Sequence, residues 1–337
     1  MAHCPWLWLG MALGQAVVAL GQPLNLPTPN QAIFEPGNEA DYFTPTVGRT
    51  WPSGTFGCVR SEGWQMHEGL DIKCTQRDAR GEPTDPISAA ADGTIVYINS
   101  KPGLSNYGKY IVMQHEIDRL PVYTLYAHLR NIEDGLHVGQ TRKSGEIIAT
   151  MGRTSNTSQG ISRERAHLHF EVCLLANSDY AGWQKKYHAG QRNDHAKWNG
   201  QNLLGIDPWK LFLSQRDARA KRKPFHLHEF IRREPVLCRI LVQSPNFEWA
   251  KRHPGLVESP AKPTAIGGYE IFLDYNGIPV RCLPRGKEAF SDNEPIKLLN
   301  VDAGVYAKAR CRKLVFKKGQ KWQLTAKGLA HLNLLIH

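Results

Sequence analysis

Ala166-His167-Leu168-His169-Phe170-Glu171-Val172 alternates polar and apolar side chains in the manner of a β-strand. Strand side chains repeat every two residues, so both imidazoles leave one face, and the strand can offer one ring to a metal while holding the other beside it. Roughly a hundred residues upstream stands His67-Glu68-Gly69-Leu70-Asp71, a His-x-x-x-Asp whose glycine argues for a turn or strand entry rather than a helix. Two histidines and one carboxylate are the set that hydrolytic zinc sites use, with water in the open fourth position.

Between these motifs lie Leu125-Tyr126-Ala127-His128-Leu129 and Gly145-Glu146-Ile147-Ile148-Ala149-Thr150-Met151-Gly152-Arg153-Thr154-Ser155-Asn156. In this order the set closely resembles the lysostaphin-type (LytM-domain) zinc metalloendopeptidases, which cut peptide stems and bridges of bacterial peptidoglycan. The resemblance covers roughly Thr46 to Gln215. It implies a mainly β, antiparallel catalytic domain and one Zn2+ per chain, with His67, Asp71 and His169 as the metal ligands. His128 and His167 match the two non-ligating histidines of such sites. A neutral imidazole near pKa 6.5 suits proton transfer, and which of the two takes the proton from water and which steadies the oxyanion is left open. The implied reaction is hydrolysis of peptidoglycan peptides through a metal-activated water. Some domains of that family have lost their metal residues and regulate other wall hydrolases by binding them; a complete set of five favours the enzyme over that alternative. A secreted peptidase for ordinary protein substrates is a third reading.

Short β-branched or aromatic runs bounded by turn residues predict strands at Gly93–Ile98, Tyr110–His115, Val122–Tyr126 and Glu146–Ala149, with residues 101–108 as a turn-rich loop. Asp207-Pro208-Trp209 predicts a short closing helix with proline at its first position. Two segments are longer than the resemblance leads one to expect, Thr75 to Pro86 and Thr157 to Arg165, and both are expected near the mouth of the site. Glu171 shares the face of His169 and can orient it from behind the metal, or serve as a rim carboxylate.

The chain opens with an apolar run from Pro5 to Leu20, the length of a secretory h-region, followed by Ala19-Leu20-Gly21 as a cleavage context before Gln22. No Lys or Arg precedes the run, so an uncleaved anchor is the alternative. No other stretch approaches the roughly 18 apolar residues of a membrane helix. The expected location is therefore outside the cytoplasm, in the periplasm, envelope or medium. Six cysteines follow the leader, an even count that in an exported chain suggests disulfides. Cys58 and Cys74 bracket the first metal motif and are expected to pair; two buried free thiols are the other reading. The pairing of Cys173, Cys238, Cys282 and Cys311 is left open.

Charge divides the chain. Residues 216–337 hold 23 Lys and Arg against 11 Asp and Glu, the preceding residues 19 against 20, and the whole carries +11. The expected organisation is a signal peptide (1–21), an N-terminal extension (22–45), the metallopeptidase domain (46–215), a basic linker (216–224) and a smaller, basic α+β C-terminal domain (225–337). Tyr269–Tyr275 and Ile278–Leu283 flank Asn276-Gly277, a hairpin signal, with Pro279 favouring an edge strand. Thr325 is a helix cap, with Leu329, Leu332 and Ile336 on one face. The excess positive charge suits an acidic partner: attachment to anionic cell-wall polymers is the functional reading, a merely basic, soluble surface is the alternative, and nucleic acid is disfavoured by the export signal. The oligomeric state is not written in these features.

Five further histidines need an account. His226-Leu227-His228 repeats the His-x-His spacing without a glycine-rich lead-in or a long alternating strand, and reads as a solvated or interfacial pair, with metal binding as the lesser alternative. His115 reads as structural. His188 and His195, in a polar stretch, read as solvent-facing.

Overall fold

The computed structural model describes residues 22–258, 265–290 and 294–337; the leader expected at 1–21 lies outside them. No described helix is long and apolar enough to cross a membrane.

A seven-stranded antiparallel sheet organises the described residues up to Ile206. Its order is Leu203–Ile206, His167–Leu175, Leu120–Ala127, Tyr110–Ile117, Gly93–Asn99 and Thr141–Arg142, with Leu70–Lys73 also pairing His167–Leu175. The strand His167–Leu175 is central: Leu120–Ala127 flanks one edge, and the other is shared by Leu70–Lys73 and Leu203–Ile206. All nine of its residues are buried. Leu168, Phe170 and Val172 join the main core, while His167, His169 and Glu171 occupy the opposite face, as the period of two requires. A small sheet of Pro86–Ser88, Ile147–Thr150 and Asn131–Ile132 stands beside it. The strands expected at 93, 110, 122 and 146 are therefore present.

The segment 22–45, expected as an extension, is part of the core. Leu24 exchanges two hydrogen bonds with the Gln215 side chain, and Tyr42 and Phe43 are fully buried. The helix Pro208–Ala220 begins as expected, with the Asp207 carboxylate accepting from the N–H groups of Trp209 and Lys210. It buries Leu211 and Phe212, the latter stacked on Phe170 at 6.1 Å. This helix corrects the expected linker at 216–224, because residues 216–220 are its last turns. Arg and Ala are good helix formers, so a charged run there continues the helix instead of breaking it.

The C-terminal half has a four-stranded antiparallel sheet in the order Pro279–Gly286, Ile266–Asp274, Val236–Val242, Ile296–Val301. The hairpin at Asn276-Gly277 is present, with Gly277 at φ +90°, and Pro279 opens an edge strand as expected. A second hairpin, Val315–Lys318 with Lys321–Leu324, leads to the helix Ala326–Ile336. Thr325 caps that helix through Gly328 N–H, but its buried face is Leu332, Leu334 and Leu335, while Leu329 is exposed. The expected face was displaced because the helix packs into a corner between the two halves.

The two halves share one hydrophobic core. Asn276 Nδ2 donates to Gly205 O, Asn177 Nδ2 to Leu334 O, and Arg252 Nη2 to Ala176 O. Cys58 is bonded to Cys311, 253 residues away, which corrects the expected Cys58–Cys74 pairing. The strand Gly57–Arg60 pairs with Gln65–His67, and the chain then runs on through Leu70–Lys73, carrying Cys74 into the other side of the sheet. Cys74, Cys173, Cys238 and Cys282 are buried free thiols.

Candidate active site

Register builds the site. His169 stands opposite Asp71 on one neighbouring strand and opposite Ala127 on the other, so His128 follows directly beside it. His67 reaches the same point through the turn at Glu68-Gly69. A Cβ at position 69 would collide with the Phe170 carbonyl, so only glycine allows the two segments to approach this closely. The structure thus brings together all five residues singled out in the sequence.

His67 Nε2, Asp71 Oδ1 and His169 Nδ1 form a triangle with edges of 3.0, 3.1 and 3.0 Å. Ligands held about 2 Å from a tetrahedral zinc stand roughly 3.3 Å apart. The outer nitrogens fix what faces inward. His67 Nδ1 donates to Thr55 O at 2.7 Å, and His169 Nε2 donates to Glu171 Oε1 at 2.8 Å. Each ring therefore turns a lone pair toward its neighbour and toward the Asp71 carboxylate. Asp71 Oδ2 is taken by Arg60 Nη2 at 2.5 Å, leaving Oδ1 for the centre.

The ionisation states follow from this crowding. Burial works against the Asp71 carboxylate, yet His67 and His167 hold it well below the usual carboxylate range. Burial also lowers His67. For His169 burial is outweighed by its hydrogen bonds to the Asp71 and Glu171 carboxylates, and its pKa is pushed up to about 9. Three ligand atoms converging beside an ionised carboxylate make a set that a divalent cation fits. Glu171 is fully buried and is the orienting carboxylate, not a rim group. Burial opposes its charge, but His169, Tyr107 and Cys173 all donate to it and hold its pKa down.

His128 and His167 face this centre without joining the triangle. Their rings are 4.9 Å apart, and that of His128 lies 6.0 Å from His169. His128 Nδ1 donates to Thr154 O and His167 Nδ1 to Arg165 O, so both present Nε2 inward. His167 Nε2 lies 3.4 Å from Asp71 Oδ1. Desolvation in the cleft, with His167 and His169 nearby, holds His128 well below its ordinary pKa and therefore neutral. Its backbone sits at φ +61°, in the left-handed region that few residues other than glycine occupy.

The site opens into a cavity of about 1070 Å³. One wall is the C-terminal half, including Arg312, Lys313, Lys327 and His331. Neither inserted loop lines it, against expectation. Those loops are tied to each other instead, Glu82 binding Arg153 and Arg163, and only Asn156 from that region reaches the cavity. His188 and His195, expected to face solvent, both line it. His195 is buried, bonded to Tyr97 Oη and Leu104 O. His115 is structural, held by Asp92 O and Thr124 Oγ1. Sequence reasoning missed Arg60 and Tyr107, which act through Asp71 and Glu171. Neither stands in a local motif, and only the folded register reveals them.

Comparison with known proteins finds a family match over the same stretch of chain. Residues 65–180 match the profile of peptidase family M23, which contains all five residues. Among solved structures, the chain is similar to the catalytic domain of the antimicrobial peptidase lysostaphin from Staphylococcus simulans, with 21% identity over 40% of this chain and 76% of that one and a TM-score of 0.24. It is also similar to a zinc-containing peptidase from Vibrio cholerae, with 23% identity, coverage of 45% and 33%, and a TM-score of 0.24. For Csd3 from Helicobacter pylori the values are 20%, 60% and 42%, and 0.28. The chain spans less than half the length of the latter two structures. No curated protein matches it. The match to peptidase family M23 thus falls on residues 65–180, the stretch whose strands assemble the triangle.

Proposed function

We propose that the chain is an exported zinc endopeptidase that hydrolyses peptide stems or cross-links of bacterial peptidoglycan. The observation that carries the reading is the triangle of His67 Nε2, Asp71 Oδ1 and His169 Nδ1, three ligand atoms about 3 Å apart with their lone pairs turned inward. In this reading those three residues hold one Zn2+, which when bound activates water and polarises the scissile carbonyl.

The remaining steps belong to the chain's own residues. His128, neutral and with Nε2 inward, is the group ready to accept a proton from the attacking water. His167, beside the Asp71 carboxylate, donates a hydrogen bond to the developing oxyanion when its Nε2 is protonated. Glu171 and Tyr107 hold the His169 ring in its tautomer, and Arg60 holds the Asp71 carboxylate in one rotamer.

The basic C-terminal half supplies cations to the cavity wall, which supports an acidic peptide or a wall polymer as its partner. The complete set of five speaks against a purely regulatory role. Digestion of purified peptidoglycan by the zinc-loaded chain, with mass analysis of the fragments, tests the reading. Release of new amino termini that stops with a chelator and returns with zinc is expected. A zinc-loaded chain that releases nothing, or only sugar fragments, overturns it.

A further inference from the structure

The histidine pair that the catalytic centre does not use has acquired a third partner. Asp118 and Arg119 form the two-residue turn between the strands Tyr110–Ile117 and Leu120–Ala127, both with positive φ, +52° and +60°. That turn carries Asp118 against the start of the helix Leu227–Arg232, the first helix of the C-terminal half. Asp118 Oδ2 accepts from Leu227 N–H at 2.5 Å, which fixes the carboxylate, and Oδ1 lies 3.7 Å from His226 Nδ1.

Two histidines at i and i+2 of a regular helix point apart. Here His226 precedes the helix with extended backbone, φ −120° and ψ 118°, and its ring comes to 5.6 Å from that of His228. One ligand atom from each of Asp118, His226 and His228 lies within 4.8 Å of the others. His228 Nδ1 is buried and has no hydrogen-bond partner among the described residues. A buried imidazole nitrogen left without a partner is unfavourable unless something fills the position it faces.

We propose that Asp118, His226 and His228 form a second divalent transition-metal site, with Zn2+ as the fitting ion, that clips the C-terminal half to the tip of a catalytic-sheet hairpin. Two imidazoles and a carboxylate suit zinc rather than calcium or magnesium, which take oxygen ligands. Small side-chain rotations bring atoms 4.8 Å apart onto a tetrahedral ion, since Leu227 N–H holds the carboxylate and the two rings are already adjacent. None of the three residues lines the catalytic cavity, so the site is structural.

The test uses the untagged full chain carrying Asp71→Ala and His169→Ala, stripped of metal and then equilibrated with Zn2+. One zinc per chain by elemental analysis, with a rise of a few degrees in Tm on adding zinc, is expected. Adding His226→Gln and His228→Gln should remove both. No bound zinc before that addition, or the same amount after it, overturns the proposal. Asp118→Asn guards against misfolding, since it keeps an acceptor for Leu227 N–H while losing the anionic ligand. It should melt like its parent without metal and bind zinc at least tenfold more weakly; equal affinity overturns the proposal. In the otherwise unaltered chain, His226→Gln with His228→Gln should lower zinc from two per chain to one with hydrolysis unchanged. Because metal is counted independently of hydrolysis, failure of the second site and failure of the peptidase reading are separable.

Discussion

His169 and Asp71 face each other across adjacent antiparallel strands, and their side chains meet at 3.0 Å, Nδ1 to Oδ1. The backbone ladder itself therefore sets the distance between two of the three ligand candidates. Replacing His67, Asp71 or His169 by Ala should remove both catalytic metal and activity, because each leaves only two of three ligands. Replacing His128 or His167 should leave that zinc in place while activity falls on the order of 100-fold or more. Elemental analysis beside fragment release from peptidoglycan separates the two classes. Loss of zinc from His167→Ala with retention in His169→Ala would invert the assignment.

Glu171 reaches the proposed metal centre only through His169. Glu171→Gln keeps the shape and an acceptor but removes the charge that fixes the His169 tautomer, and zinc affinity should fall about 10- to 100-fold. Tyr107→Phe removes one of three donors to Glu171 and should cost less. Competition with a chromophoric chelator measures both. Unaltered affinity in Glu171→Gln would show that the His169 ring is held by packing alone.

The inserted loops give a pH-dependent contact outside the cavity lining. Hydrogen bonds from Arg153, opposed by burial and reinforced by Arg163, lower the Glu82 pKa to about 2. A depressed carboxylate stabilises the fold above its unfolded pKa, near 4.5, and that contribution is lost as pH falls through about 2. Glu82→Gln should therefore lower stability by on the order of 1 kcal/mol at neutral pH. The difference from the parent should shrink between about pH 4.5 and 2. Melting curves over that range, on a chain reversible in acid, decide it.

How much of this was legible in sequence depends on the range of the interaction. His167, His169 and Glu171 declare a strand face locally, and Gly69 argues for a turn between His67 and Asp71, so the cluster of five residues could be read without coordinates. The partner of Cys58 could not. Cys311 is brought to it by the docking of two sheets, and nothing in the spacing of Cys58 and Cys74 reports that event. Arg312 and Lys327 are equally mute, because their place in the cavity wall depends on the same docking. His195 looked solvent-facing in its polar stretch, yet Tyr97 Oη and Leu104 O enclose it. The charge step after Gln215 pointed to a separable domain, whereas Leu211 and Phe212 continue into a core shared with Leu227, Leu332 and Leu335.

That shared core alters what removal of the C-terminal half should do. A chain ended at Gln215 loses Cys311, the Asn276 bond to Gly205 O and the Leu334 carbonyl that accepts from Asn177. It also exposes apolar surface beside Phe212, so it should not unfold as a cooperative unit. The disulfide offers a gentler test. Closing so long a loop restrains the unfolded chain by about 5 kcal/mol in the entropy model, so Cys58→Ser with Cys311→Ser should melt well below the parent. Because Cys311 is followed in the cavity wall by Arg312 and Lys313, the same variant should bind peptide substrate more weakly, raising KM more than it lowers kcat. Alkylation of the denatured, unreduced protein should label Cys74, Cys173, Cys238 and Cys282 and spare Cys58 and Cys311. A peptide map joining Cys58 to Cys74 instead would mean that the C-terminal half is not tethered there, and its role in the cavity wall would have to be abandoned.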